Sequence, residues 1–171
     1  MTAVVVADAG PLIGLARIDR LSVLASLYGS VLVPELVLAE LHIDSDRPGA
    51  RALSAALAQG TIRPQALPDG NAAELARLRL LLDAGEASAI LLAAQIKCRF
   101  LLIDERRGRQ IARARGVPVV GLAGVLLAAK RSGLLPCVAA TLAVLSREGY
   151  RLSDALVSEV LRLAGEADSS G

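Results

Sequence analysis

Two uninterrupted apolar runs, each closed by an aspartate, do most to limit what this chain can become. Ala3-Val4-Val5-Val6-Ala7 ends at Asp8, and Phe100-Leu101-Leu102-Ile103 ends at Asp104. Neither run alternates between apolar and polar. Continuous hydrophobicity over four or five residues marks a strand buried on both faces, and hence a parallel sheet covered by helices. In such sheets ligands bind in the crevice beyond the carboxyl ends of the strands. Both aspartates fall there.

The remaining pattern alternates in the same sense. Strands are predicted near Val4–Ala7, Val31–Val33, Thr61–Gln65, Arg99–Ile103 and Val117–Gly121. Helices are predicted over Pro11–Leu27 with a break near Arg20, Pro34–His42, Arg47–Gln59, Ala72–Leu82, Gly85–Lys97 and Glu105–Arg115. With right-handed crossovers this alternation gives an α/β fold: three layers, doubly wound around a five-stranded parallel sheet. After the fifth strand the chain is helical, predicted as Leu122–Ser132, Cys137–Glu148 and Ser153–Ala164, the last two forming a C-terminal helical extension. Gly133 and Gly149 serve as helix stops and Pro136 stands at a helix start. Residues 1–133 are expected to form the sheet domain and residues 134–166 an extension packed on it, with 167–171 frayed.

Composition narrows the class. Hydrophobic residues make up 54% and the mean hydropathy is +0.53, yet no segment reaches the ~18 uncharged apolar residues of a membrane span. The amino-terminal run is only a strand long and lacks a basic start, so a cytoplasmic protein away from membranes is expected. Cys98 and Cys137 have no CxxC spacing, and the single His42 does not fit the His-rich zinc hydrolases. Cys98, just before a buried strand, reads as core. The net charge of +2 is too small to announce a nucleic-acid binder. However, 17 of the 19 basic residues are arginine, the bidentate binder of phosphate.

Two glutamates join the strand-end aspartates. Glu40 shares a helical side with Val37 and Leu41, whereas Glu35 suits the first turn of that helix. Glu86 lies four residues before Ile90, on the side carrying Ala89 and Ala93. Each acid also has a structural reading. Asp8 and Asp104 can cap the helices that follow them, Glu40 can be a surface residue, and Glu86 can close a capping box on Asp83. Taken together, Asp8, Glu40, Glu86 and Asp104 make an oxygen-rich pocket suited to Mg²⁺ or Mn²⁺, hard ions that bridge to substrate phosphates.

These residues resemble the motifs of the PIN-domain nucleases. Val6-Ala7-Asp8-Ala9-Gly10-Pro11-Leu12-Ile13 is similar to the first acidic motif and Pro34-Glu35-Leu36-Val37-Leu38-Ala39-Glu40 to the second. Gly85-Glu86-Ala87-Ser88-Ala89-Ile90 is similar to the third and Leu101-Leu102-Ile103-Asp104-Glu105-Arg106-Arg107-Gly108-Arg109 to the fourth. The order and spacing of all four agree, and the helical tail resembles a subfamily related to the toxin halves of bacterial and archaeal toxin–antitoxin pairs.

The resemblance implies a metal-dependent endoribonuclease in which Asp8, Glu40, Glu86 and Asp104 hold one or two Mg²⁺ or Mn²⁺ ions. An activated water then attacks the RNA phosphodiester in line, leaving a 5′-phosphate and a 3′-hydroxyl. It also implies a cognate antitoxin as partner. Glu105 is a candidate outer residue of the site. Arg106, Arg109 and Arg113, spaced by three and four, form a helix stripe able to grip an RNA backbone or to face solvent. The apolar surplus predicts a homodimer through Leu122–Ser132 or Ser153–Ala164.

Competing readings fit less well. Residues 9–14 lack the G-x-G-x-x-G of a dinucleotide site. Gly10 stands where an aspartyl-phosphate phosphatase wants a second acid. The serious rival is a catalytically inactive PIN-fold binding partner, supported by Leu102 where many relatives carry Ser or Thr and by Ala9 where many carry a polar residue.

Overall fold

The computed structural model describes residues 3–167; positions 168–171, within the tail expected to fray, lie outside the described residues. The elements in chain order are β1 (Val5–Ala7), α1 (Ala9–Arg17), α2 (Ser22–Tyr28), β2 (Val31–Val33), α3 (Glu35–Glu40) and α4 (Ala50–Ala58). Then come β3 (Ile62–Pro64), α5 (Ala72–Leu78), α6 (Ala84–Gln95), β4 (Phe100–Leu102), α7 (Arg106–Ala114) and β5 (Val119–Val120). The chain closes with α8 (Leu122–Arg131), α9 (Val138–Arg147) and α10 (Asp154–Leu163).

The strands form one sheet in the order β3-β2-β1-β4-β5, every neighbouring pair parallel. The expected α/β architecture is therefore present, with C-terminal helices added. Val5, Val6 and Ala7 of the central strand have no exposure, as a strand covered on both faces requires. Pro64 sits in the edge strand β3, where its missing N–H costs no ladder bond.

From β1 the chain winds outward through β2 to β3, then returns to the other side of β1 to lay down β4 and β5. Strand order thus reverses between β1 and β4, and the crevice at their carboxyl ends is the switch point. Register makes the placement local. Ala7 pairs with Leu102, and the Asp8 N–H donates to the Leu102 carbonyl at 2.9 Å. Asp8 and Asp104 therefore leave adjacent strands at the same end.

The break expected near Arg20 is present: the segment Pro11–Leu27 divides into α1 and α2, with Asp19 in the left-handed region at φ 56°. Other boundaries differ from the sequence expectation. Helix α1 starts at Ala9, and Pro11 is accommodated in its first turn, where no N–H is needed. The segment Ala72–Leu82 stops being helical after Leu78. Tight turns (Leu80 N–H to Arg77 O, 3.2 Å; Leu81 N–H to Leu78 O, 2.9 Å) leave Leu80 84% exposed.

The C-terminal helices close the structure. Helix α10 packs on α8 and α9, and α9 packs on α1. Leu122, Val125, Leu126 and Leu127 of α8 are all buried, so the large apolar residues of that helix are consumed inside the chain. Of the two helices expected to offer a dimer face, α10 keeps exposed leucines, Leu156 and Leu163. The tail is tied down by Glu166, whose carboxylate accepts from the Val138 and Ala139 N–H groups at 2.8 and 3.0 Å and from Lys130 Nζ at 2.7 Å. Cys98 is buried as expected, and burial pushes its thiol up to about 11. Among the described residues no helix is long and apolar enough to cross a membrane.

Candidate active site

Asp8 follows β1 directly and occupies the N-cap position of α1, but its side chain makes no capping bond. It is only 7% exposed, and its Oδ1 has no hydrogen-bond partner. Buried polar atoms are almost always paired, so an orphaned carboxylate oxygen at a switch point is a signal. Burial raises the Asp8 carboxyl to about 7, with Asp83, Glu40 and Asp104 adding repulsion against a bond from the Ala9 N–H.

Glu86 stands in the first turn of α6, 6% exposed, and is likewise raised to about 7 by burial and then by Asp83 and Asp8. Glu40 ends α3, which packs on α6, and its Oε1 accepts the Gly85 N–H at 3.0 Å. Burial and then Asp83 raise its carboxyl, while the Gly85 bond opposes them. A Cβ on residue 85 would overlap the Glu40 carboxylate. Gly85 is therefore glycine because a carboxylate lies against its Cα.

Asp104 behaves differently from the helix cap it could have been. The N-cap position of α7 belongs to Glu105, and Asp104 instead reaches the start of α8. Its Oδ1 and Oδ2 both accept the Leu122 N–H, at 3.2 and 3.1 Å, and Oδ2 also accepts the Tyr150 hydroxyl. A Cβ on Gly121 would stand 2.5 Å from Oδ1. A helix N-terminus favours the negative charge placed there.

Two residues of this neighbourhood had no site role in the sequence reading. Asp83 accepts the Glu86 N–H at 2.8 Å, the capping bond expected of it. It also faces Asp8, Glu40 and Glu86 closely enough to raise all three. The capping pattern hid this second relation, because sequence spacing does not show what approaches a cap from other elements. Tyr150, 46 residues beyond Asp104, carried no local signal at all.

The arginine stripe is divided by its environment. Arg106 and Arg113 are exposed, while Arg109 turns back to donate from Nη1 to the Ile103 carbonyl at 2.8 Å. A cleft of about 410 Å³ is lined by Asp83, Glu86 and Glu105 together with Arg79 and Arg107, while Asp104 and Arg109 line a separate one. Glu105 is exposed and adds repulsion at Glu86.

Comparison with known families decides the relationship. The family model described as a PIN domain matches residues 4–166. The chain belongs to the PIN-domain family. No curated protein matches it. PIN domains are generally nucleases, and PIN nucleases typically use divalent metals.

Among the described residues of this PIN domain, no three His, Cys, Asp or Glu side chains already converge as a metal-binding group. Burial, with repulsion between like charges added to it, raises the Asp8 and Glu86 carboxyls. The chemistry of the set nevertheless fits a hard cation. All donors are carboxylate oxygens, the buried Asp8 Oδ1 lacks a partner, and two neighbouring carboxyls are raised to about 7.

Proposed function

We propose that this PIN domain is a Mg²⁺- or Mn²⁺-dependent endoribonuclease with Asp8, Glu40, Glu86 and Asp104 as its metal-holding and catalytic carboxylates. The unpaired, buried Oδ1 of Asp8 at the β1/β4 switch point carries this reading. Leaving such an oxygen without a donor costs about 1–3 kcal/mol or more, which a bound cation offsets. One or two divalent ions held there supply an activated water and neutralise charge on the leaving oxygen of the phosphodiester.

The chain's own groups do the rest. Asp8 and Glu86 give up protons as the cation is taken, so binding strengthens as pH rises toward 8. The Gly85 N–H orients Glu40, and the Leu122 N–H orients Asp104. Arg79 and Arg107, in the cleft beside Glu86, are placed to contact phosphates of the strand. Arg106 and Arg113, exposed on α7, are further candidate phosphate contacts, and Glu105 supports the site from outside. With three aromatic residues in the chain, recognition rests on phosphate contacts and RNA shape more than on base stacking.

The physiological role that fits is the toxin of a toxin–antitoxin pair in the cytoplasm, with a cognate antitoxin as partner and a homodimer formed through Leu156 and Leu163 of α10. Residues 134–166 then act as an extension of the domain formed by 1–133. Sedimentation at micromolar concentration checks the dimer: a monomer removes that part of the proposal.

The deciding experiment is cleavage of mixed labelled RNAs by pure protein with Mg²⁺, Mn²⁺ or EDTA, beside Asp104→Asn. Metal-dependent cutting that disappears in the variant supports the reading. No cutting, together with no Mn²⁺ heat in calorimetry, favours the inactive binding module. Gly85→Ala tests Glu40 separately. Its new Cβ must displace the Glu40 carboxylate, so Mn²⁺ affinity should drop at least about 10-fold, as for loss of a group that orients a metal ligand. Wild-type affinity in Gly85→Ala would remove Glu40 from the ligand set.

A further inference from the structure

Tyr150 is held from three directions. Helix α9 ends in a left-handed Gly149 at φ 87°, with the Gly149 N–H on Ser146 O at 3.0 Å and the Tyr150 N–H on Leu145 O at 2.9 Å. This Schellman arrangement fixes where the chain points after the helix. Arg17, the last residue of α1, donates from Nη1 to the Glu148 carbonyl at 3.0 Å and pins the same turn to α1. The aromatic ring then fills the space that a side chain at position 14 would need: a Cβ there would lie 2.8 Å from Tyr150 Cδ2.

Held in this way, the hydroxyl of Tyr150 donates to Asp104 Oδ2 while the Leu122 N–H donates to both oxygens. Asp104 is thus gripped from the start of α8 and from the turn between α9 and α10. A carboxylate offers about four lone-pair positions, so capacity for a cation remains.

We propose that Tyr150 is a positioning residue of the nuclease site, its hydroxyl holding the Asp104 carboxylate in the orientation that ligates a divalent cation. The C-terminal helices are then part of the site's support, since the turn between them supplies a group that no acidic motif contains. This inference rests on the nuclease reading above.

Tyr150→Phe tests it, because the ring stays over Gly14 and only the hydroxyl is lost. Calorimetric titration with Mn²⁺ should show affinity weakened about 10–100-fold, the usual cost of removing a group that orients a metal ligand. The Mn²⁺ concentration giving half-maximal RNA cleavage should rise by the same factor, with the rate at saturating Mn²⁺ changing much less. Tyr28→Phe, altering the tyrosine that packs against Phe100, should behave as wild type. A tyrosine with only a structural role would leave the metal midpoint unmoved.

Wild-type Mn²⁺ affinity, or tighter, in Tyr150→Phe overturns the inference. Should that variant lose cooperative unfolding, Gly14→Ala displaces the ring instead and must weaken Mn²⁺ binding, unchanged binding again overturning it. A wild type that binds and cuts beside an unchanged Tyr150→Phe removes this inference alone. A wild type that neither binds Mn²⁺ nor cuts RNA removes the nuclease reading and the inference with it.

Discussion

In EDTA, the thermal midpoint of the wild-type chain is expected to fall by roughly 5–10 °C between pH 5 and pH 8, and Asp8→Asn is expected to lose at least half of that slope. The cause is the Asp8 carboxyl, raised by burial from 3.8 to about 7. Between those values the folded chain binds more protons than the unfolded one, so stability declines with rising pH. The stability is fully present below the unfolded value and is lost as pH climbs through about 7. At 1.36 kcal/mol per unit the whole effect is about 4 kcal/mol, of which about 2.5 kcal/mol falls between pH 5 and 8. Glu86, also raised to about 7, acts in the same direction and is coupled to Asp8.

An asparagine at position 8 is nearly isosteric and never charges. The variant should therefore be more stable than wild type at pH 8 without metal, which reverses the usual effect of altering a buried polar residue. Saturating Mn²⁺ should restore the wild type by about 2.7 kcal/mol at 100 times the dissociation constant and leave Asp8→Asn nearly unmoved. A flat wild-type profile, or equal slopes in the two proteins, would sink the argument that Asp8 is a strained, metal-seeking carboxylate.

The same substitution should have the opposite effect on chemistry. Single-turnover RNA cleavage at saturating Mn²⁺ is expected to fall by at least about 100-fold in Asp8→Asn and in Glu86→Gln. Losing a group that only supports a ligand already costs 10–100-fold, and these carboxylates are proposed as direct ligands. The double variant should be little worse than either single one, because residues that act as a unit are not additive. Losses that multiply would show that the two acids serve separate functions. Retention of more than about a tenth of the wild-type rate in either single variant would remove that acid from the site.

How much of this was legible depends on how local the determinant is. The strands were readable because a run buried on both faces carries its signature in consecutive residues, and the observed β1 and β4 lie within the expected Val4–Ala7 and Arg99–Ile103. Helix ends were less readable. The break near Arg20 was legible, whereas the stop after Leu78 was not, in a helix that packs on α6. The capping bond from Glu86 to Asp83 appeared where spacing placed it, but capping was only half of what Asp83 does. The arginine stripe had the right period for one helix face, yet Arg109 is drawn back by the Ile103 carbonyl.

The sequence by itself determined the parallel sheet, the two strand-end aspartates and the helical positions of Glu40 and Glu86, because each follows from hydrophobic periodicity within a few residues. The tertiary structure decided which groups those acids meet. Strand order brings β4 beside β1 and so sets Asp104 near Asp8. The packing of α3 on α6 presses Glu40 against Gly85, and the turn after α9 delivers Tyr150 to Asp104. Those encounters span 45 and 46 residues of chain, and their partners are selected by crossover and packing geometry that leaves no mark on the neighbouring sequence.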